Sequence, residues 1–188
     1  MFGKKKYNPE AEELNQAMIQ FSKGSAEAFH LLYSAYQQKV YRFCLRMLGD
    51  HALAEDAFQE TFIKIYEHRK EFKGINFQAW LFTIARHTCL NYIRTRKEHE
   101  SYEELQHGRS IYMDEDFGAK EFIQKAIQKL PDSLREALLL REYEECSYSD
   151  IADILGIDLS LAKVRVHRAR LILRKLLKPL VKELYESR

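Results

Sequence analysis

The residues best placed to do chemistry lie in one run, Tyr148-Ser-Asp-Ile-Ala-Asp-Ile-Leu-Gly-Ile-Asp-Leu-Ser-Leu-Ala-Lys-Val-Arg-Val-His-Arg-Ala-Arg170. In its second half Ala162, Val166, Ala169 and Leu173 recur at the spacing of one helix face, while Lys163, Arg165, Arg168, Arg170, Arg174 and Lys175 fall off that stripe. Arginine reads guanine edges through paired N–H donors, and either cation holds a phosphate. In the first half Ile151 and Leu155 give a short helix an apolar stripe, and Ala152 is small enough for a second helix to cross closely. Gly156 stands where a sharp turn needs positive φ. Ile157 and Leu159 are expected to return to the core, and Ser160 to cap the basic helix. This is the arithmetic of a helix-turn-helix, whose second helix enters the DNA major groove.

A second cluster places Phe72, Phe77, Trp80 and Tyr92 near Arg86, Arg94, Arg96 and Lys97. Single-stranded DNA asks for that mixture, because bases stack on rings at roughly 1–3 kcal/mol each and phosphates need cations. The Trp80 ring itself reads as a core tryptophan, which leaves base capture to the Gly74–Gln78 loop and to polar residues of the helix after it. Catalytic chemistry finds no such footing. Seven histidines and the cysteines Cys44, Cys89 and Cys146 show no metal-ligand spacing, and neither a Gly-rich phosphate loop nor GxSxG is present. No metal, cofactor or enzymatic activity is expected.

These clusters need helices to hold them. Apolar spacing predicts helices from Glu10 to Phe21, from about Ser25 to Gly49, from Asp50 to about Phe72, and from Phe77 to Arg96. Asp50 is placed to cap the third of these, in which Leu53, Ala57, Phe58, Phe62, Ile65 and Tyr66 are expected to face inward. Short loops between long helices imply antiparallel neighbours, hence a bundle. The apolar stripe then stops, and residues 98–118 read as an acidic linker. Helices resume at Lys120–Lys129, Pro131 to about Glu145, Tyr148–Leu155 and Ser160 to about Tyr185. The expected fold is all-α: an N-terminal extension (1–21), a helical bundle (22–97), the acidic linker (98–118) and a helix-turn-helix domain (119–188).

Composition bounds the alternatives. With 188 residues there is room for one medium domain or two small ones, and 11 Phe plus 11 Tyr supply too much burial for a disordered chain. Unbroken apolar stretches such as Ala137–Leu140 are too short for a bilayer span, and no apolar run follows Met1–Lys6, so neither membrane insertion nor a signal peptide is expected. Three cysteines without CxxC spacing fit a reducing cytosol. The net charge of +2 hides segregation. Asp50, Glu55, Asp56 and Glu60 stand in a stretch without Lys or Arg, whereas Leu159–Arg188 carries nine bases against two acids. Two cationic surfaces and an acidic contact are implied.

Three stretches carry a resemblance. Leu130-Pro-Asp-Ser-Leu-Arg-Glu-Ala-Leu-Leu-Leu-Arg-Glu142, Ser147–Gly156 and Lys163–Arg170 resemble region 4 of the extracytoplasmic-function sigma factors, in the sigma-70 family. Ala54–Glu60, Phe62–Tyr66, Phe77–Leu81 and Ile84–Arg86 resemble their region 2, in the family's order and spacing. The resemblance implies an alternative sigma factor that binds bacterial core RNA polymerase, reads the −35 element as duplex and captures the −10 element as a melted strand. It places −35 contacts on Ser160, Lys163, Val164, Arg165, His167, Arg168 and Arg170. The −10 contacts fall on Asn76, Arg86, His87, Asn91, Arg94 and Arg96. Leu53, Asp56, Gln59 and Glu60 fall on the surface that docks on the β′ clamp coiled coil, and the second domain on the β flap. An anti-sigma factor is implied as a further partner and the cytoplasm as the place of action. The competing reading is a helix-turn-helix repressor or activator that binds duplex DNA without polymerase.

Overall fold

A computed structural model describes residues 9–73, 76–104 and 118–180, and every regular element among them is helical. Four helices build the first domain: α1 (Pro9–Ser22), α2 (Ala26–Leu48), α3 (His51–Glu67) and α4 (Phe77–Glu104), with a single 3₁₀ turn at Arg69–Glu71. Their ends follow from local chemistry. Ser25 accepts from the Ala28 N–H at 3.1 Å and Asp50 from the Leu53 N–H at 2.9 Å, each satisfying a helix-start donor that lacks a partner in its own helix. Asn76 does the same for α4 through the Ala79 N–H. Phe21, Leu32, Val40, Phe43, Met47, Leu81 and Phe82 are buried between these helices, so α1 belongs to the bundle through Phe21. The half-buried Trp80 ring packs on Phe72 and Phe77 at centroid distances of 5.3 and 5.8 Å. It is chiefly part of this aromatic core.

The second domain holds α5 (Ala119–Gln128), α6 (Asp132–Glu142), α7 (Tyr148–Leu155) and α8 (Leu159–Leu176). A capping box starts α7: Ser147 accepts from the Asp150 N–H while Asp150 accepts from the Ser147 N–H. Gly156 ends the helix at φ 62°, and the Ile157 N–H reaches back to the Ala152 carbonyl, the bond pattern that closes a helix on a left-handed residue. A side chain at Gly156 would meet no atom within 4 Å, so what demands glycine there is backbone conformation alone.

Several sequence expectations are corrected. Ser160 does not cap α8: the helix begins at Leu159 with Asp158 as the flanking residue, and Ser160 lies exposed inside the first turn. Leu159 is 47% exposed instead of returning to the core, which Ile157 reaches only in part. Tyr66, expected inward, is 43% exposed. The helix α4 continues to Glu104, seven residues into the stretch read as linker. Residues 105–117, the rest of that stretch, and Gly74 and Ile75 of the expected base-capture loop lie outside the described residues.

The two domains share one buried apolar cluster, with α4 packed on α7 and α2 on α5 and α6. A helix leaves its last carbonyls without partners in its own helix, and those of α2 are met by side chains from elsewhere. Leu45 accepts from Gln124 at 3.1 Å, Arg46 from Gln128, Met47 from Arg135 at 2.8 Å and Leu48 from Arg96 at 3.1 Å. Three of those four donors belong to the second domain. Arg135, only 5% exposed, also donates to the carbonyls of Ile127, Gln128 and Leu130, which compensates its removal from water.

Glu144 lies in the same seam, 3% exposed, with its backbone carbonyl accepting from Gln78 at 2.7 Å. Burial pushes its carboxyl up to about 7, against the opposing pull of Lys39, Arg46 and Arg42. The native state therefore holds a proton at pH values where an unfolded glutamate has lost it. Between pH 7 and the ordinary carboxyl range the native state binds more protons, so stability rises as pH falls. Urea midpoints are expected to rise from pH 7.5 to 5.5, and Glu144→Gln to flatten that dependence.

Candidate nucleic-acid interface

Helix α8 buries Ala162, Val166 and Ala169 completely against the second domain, which fixes its opposite face outward. That outer face carries Ser160, Val164, His167 and Arg168, with Lys163 at its edge, all exposed. Among the described residues Lys163 and Arg168 make no hydrogen bond or ion pair, so their charge is free for a ligand. The other two predicted cations are engaged. Arg165 approaches Glu136 at 3.2 Å, and Arg170 donates to Glu142 through Nε at 2.9 Å, a bond that raises its pKa. Both turn toward α6. The exposed, unengaged face is narrower than the basic sequence run.

The predicted residues of α4 divide the same way. His87, Asn91 and Arg94 recur at i, i+4 and i+7 and are all exposed, forming one open stripe. Beside His87 lies a pocket of about 220 Å³ whose walls include Lys64, Trp80, Ile84 and His87 itself. Partial burial, then the neighbouring Arg86 charge, holds the His87 imidazole below its usual pKa. A neutral ring there presents one donor and one acceptor to a base edge.

The remaining three face the other domain or the fold. Asn76 donates to Asp150 at 2.7 Å, Arg96 caps α2, and Arg86 donates through Nε to Glu136 at 2.7 Å. Glu136 is 2% exposed and accepts from Arg86 on both oxygens, sharing Oε1 with Arg165. One buried carboxylate thus joins a cation from the predicted single-strand helix to one from the predicted duplex-reading helix. Lys97 adds a peripheral pair with Asp132 at 2.7 Å.

On α3 Asp56 and Gln59 are exposed and Leu53 is half-buried. Glu60 is less open than its spacing from Asp56 suggests: it pairs with Lys64 at 2.5 Å, and burial, reinforced by the nearby Glu60 carboxylate, pushes the Tyr92 phenol up to about 12. Next to Gln59 runs an apolar groove of about 510 Å³ lined by Phe29, Tyr33, Phe58, Phe62, Ile63 and Tyr66. Ile63 is 58% exposed. Sequence reasoning missed this groove because its rings sit at helical spacing and read as core. The available signal was the width of the apolar arc, since Phe58, Ile63 and Tyr66 extend it beyond the Ala54, Ala57, Phe62 and Ile65 stripe that the core occupies.

Comparison with known proteins matches this division. The family described as sigma-70 region 2 matches residues 32–99, and sigma-70, region 4 matches residues 121–173. The chain is 35% identical over 185 residues to the ECF RNA polymerase sigma factor SigW of Bacillus subtilis, covering 89% of this chain and 98% of that one. It is 31% identical over 188 residues to the RNA polymerase sigma-H factor of Pseudomonas aeruginosa, covering 92% and 97%. Among solved structures, the sigma factor RpoE in complex with the anti-sigma factor NepR from Bartonella quintana superposes with a TM-score of 0.70 at 29% identity, over 81% of this chain and 98% of the other. Two family matches in the expected order, near-full-length relatives and the helical architecture agree: the chain belongs to the extracytoplasmic-function sigma factors of the sigma-70 family.

Proposed function

We propose that this chain is an alternative sigma factor that recruits core RNA polymerase to promoters with paired −35 and −10 elements. The observation that carries the reading is the presence of two separate exposed faces on two domains: His87–Asn91–Arg94 on α4 and Lys163, Val164, His167 and Arg168 on α8. The first, beside a pocket edged by Trp80, suits unpaired bases that stack and hydrogen-bond. The second is a helix-turn-helix face that suits a major groove. A repressor would need only the second. The polymerase supplies the chemistry of RNA synthesis; this chain supplies position, and no catalytic group is required of it.

Core polymerase docks, in this reading, across α3, where exposed Gln59 and Glu67 border the Phe58–Ile63–Tyr66 groove and exposed Asp56 stands one turn before Gln59. Acids at the rim steer a basic partner, and apolar anchors seated in a groove dominate binding energy. Asp56→Lys combined with Ile63→Glu is expected to weaken core binding tenfold or more in a fluorescence titration, with the helical circular dichroism unchanged. Unaltered affinity would remove α3 from the interface. The β flap is the expected contact of the second domain, and an anti-sigma factor the expected inhibitor. The place of action is the cytoplasm, where the polymerase is; among the described residues no helix is long and apolar enough to cross a membrane.

Working at a promoter requires the domains to part. The two elements are about 25 base pairs apart, roughly 85 Å along a duplex, whereas here Arg86 and Arg165 meet on one carboxylate. The docked arrangement is therefore a state of the protein off the promoter.

The deciding experiment is multi-round run-off transcription with bacterial core polymerase and a library of promoter fragments, paired with duplex binding in the absence of polymerase. Products that depend on the protein and map to paired boxes support the proposal. Tight sequence-specific duplex binding by the protein alone, without such products, overturns it in favour of the repressor.

A further inference from the structure

Four large apolar side chains of α8 are exposed, Leu159, Leu161, Val164 and Leu171, and neither phosphate nor guanine explains them. Leu161 and Val164, in the first two turns, are each 40% exposed. They point away from the buried Ala162–Val166–Ala169 face, next to Lys163 and Arg168, cations without a partner among the described residues. Isolated exposed apolar residues are ordinary on a protein surface. These two are neighbours at i and i+3, at the end of a recognition helix that meets base edges first.

An aliphatic side chain gains nothing from a phosphate or from a base donor or acceptor. Within the major groove one base-edge group does complement it, the C5 methyl of thymine. Residues three apart on a helix have Cβ atoms about 5–6 Å apart, and successive bases on one strand rise about 3.4 Å. Leu161 and Val164 therefore span adjacent or next-but-one base pairs. The positive charge of Lys163 and Arg168 beside them commits the face to DNA and holds the helix against the flanking phosphates.

We propose that Leu161 and Val164 read thymine methyl groups at two nearby positions of the −35 duplex, making both positions specific for T·A through apolar contact. The inference deepens the sigma-factor reading and rests on it. It assigns specificity to Leu161, which was not among the DNA contacts expected from sequence, and a definite chemistry to Val164.

The test uses holoenzyme assembled from core polymerase and the full chain on a promoter it transcribes. Thymidines in the −35 region are replaced by deoxyuridine one at a time, which removes the methyl and leaves every hydrogen-bonding group in place. Promoter occupancy is read by competition. Burying a methyl-sized group is worth about 0.8 kcal/mol, so a three- to fivefold loss is expected at two positions. Leu161→Ala should abolish the loss at one and Val164→Ala at the other, each variant treating thymidine and deoxyuridine alike at its own position and still losing affinity at the other. Both residues are exposed, so the substitutions leave the fold intact. Indifference of the native holoenzyme to deoxyuridine at every position, or deoxyuridine losses that persist at both positions in both alanine variants, would overturn the proposal. A chain that directs no initiation even on thymidine promoters would refute the sigma-factor reading instead, so the two failures are distinguishable.

Discussion

Lys163→Glu combined with Arg168→Glu is expected to reduce promoter-specific initiation by about a hundredfold or more while leaving core polymerase affinity within about twofold. Each reversal removes a favourable contact to DNA, worth about 1–3 kcal/mol where it reaches a base, and adds repulsion from the phosphates. Neither side chain has a partner within the described protein, and both lie off the Ala162–Val166–Ala169 face, so folding is spared. The salt dependence supplies a second readout: each lost phosphate contact lowers the slope of log affinity against log salt by about one. Arg170→Gln serves as the contrast. Arg170 is committed to Glu142, so its neutralisation should cost promoter activity no more than about threefold. Retained initiation in the double reversal would remove α8 from −35 recognition. Equal losses for Arg170→Gln and the double reversal would show that overall charge, not the outward face, governs binding.

The helix-turn-helix was legible because each of its devices is local. Ser147 and Asp150 cap within one turn, Gly156 supplies the left-handed residue, and Ala152 and Ala162 are small and buried where the two helices pack. Helix ends governed by competition were less legible. Ser160 looked like a cap, yet Asp158 two residues earlier already flanks the helix, and its extended backbone starts α8 at Leu159. The helix α4 outruns its apolar stripe because Glu98, Glu100, Glu103 and Glu104 are good helix formers that need no core contact to continue an existing helix. Least legible was everything that depends on one domain meeting the other. Nothing in the spacing of Glu136 within its leucine-rich helix announces that it will receive Arg86 from fifty residues away. Arg86, Arg96 and Asn76 have the composition of DNA contacts, and only tertiary placement turns them toward Glu136, the end of α2 and Asp150. The same ambiguity concealed the α3 groove, where Phe58 and Tyr66 look like core until the packing shows which side of the helix is left uncovered.

Arg86→Glu is expected to open the free protein. A compact chain of 188 residues has a radius of gyration of about 16 Å, and two undocked domains should exceed about 20 Å in small-angle scattering. The substitution sets two carboxylates against each other at the centre of the seam, where Arg86 is 15% and Glu136 2% exposed. Breaking a buried pair on one side typically costs about 3–5 kcal/mol. It leaves the pair between Glu136 and Arg165, both in the second domain, to hold that domain's own structure. The remaining contacts would then have to keep the domains docked: the Lys97–Asp132 pair, the Asn76–Asp150 bond, the Gln124, Gln128 and Arg135 bonds to α2, the Gln78 bond to Glu144 and the shared apolar packing. If docking must be undone before polymerase can spread the domains over two promoter elements, its free energy is subtracted from binding. Apparent affinity scales with the fraction of molecules already open. The open variant should therefore bind core polymerase more tightly than the native chain, even though it has lost a cation from the helix proposed to read the −10 strand. A compact Arg86→Glu protein would show that the Glu136 pair does not govern docking. An open one with unimproved polymerase affinity would show that docking and polymerase binding occupy separate surfaces without competing.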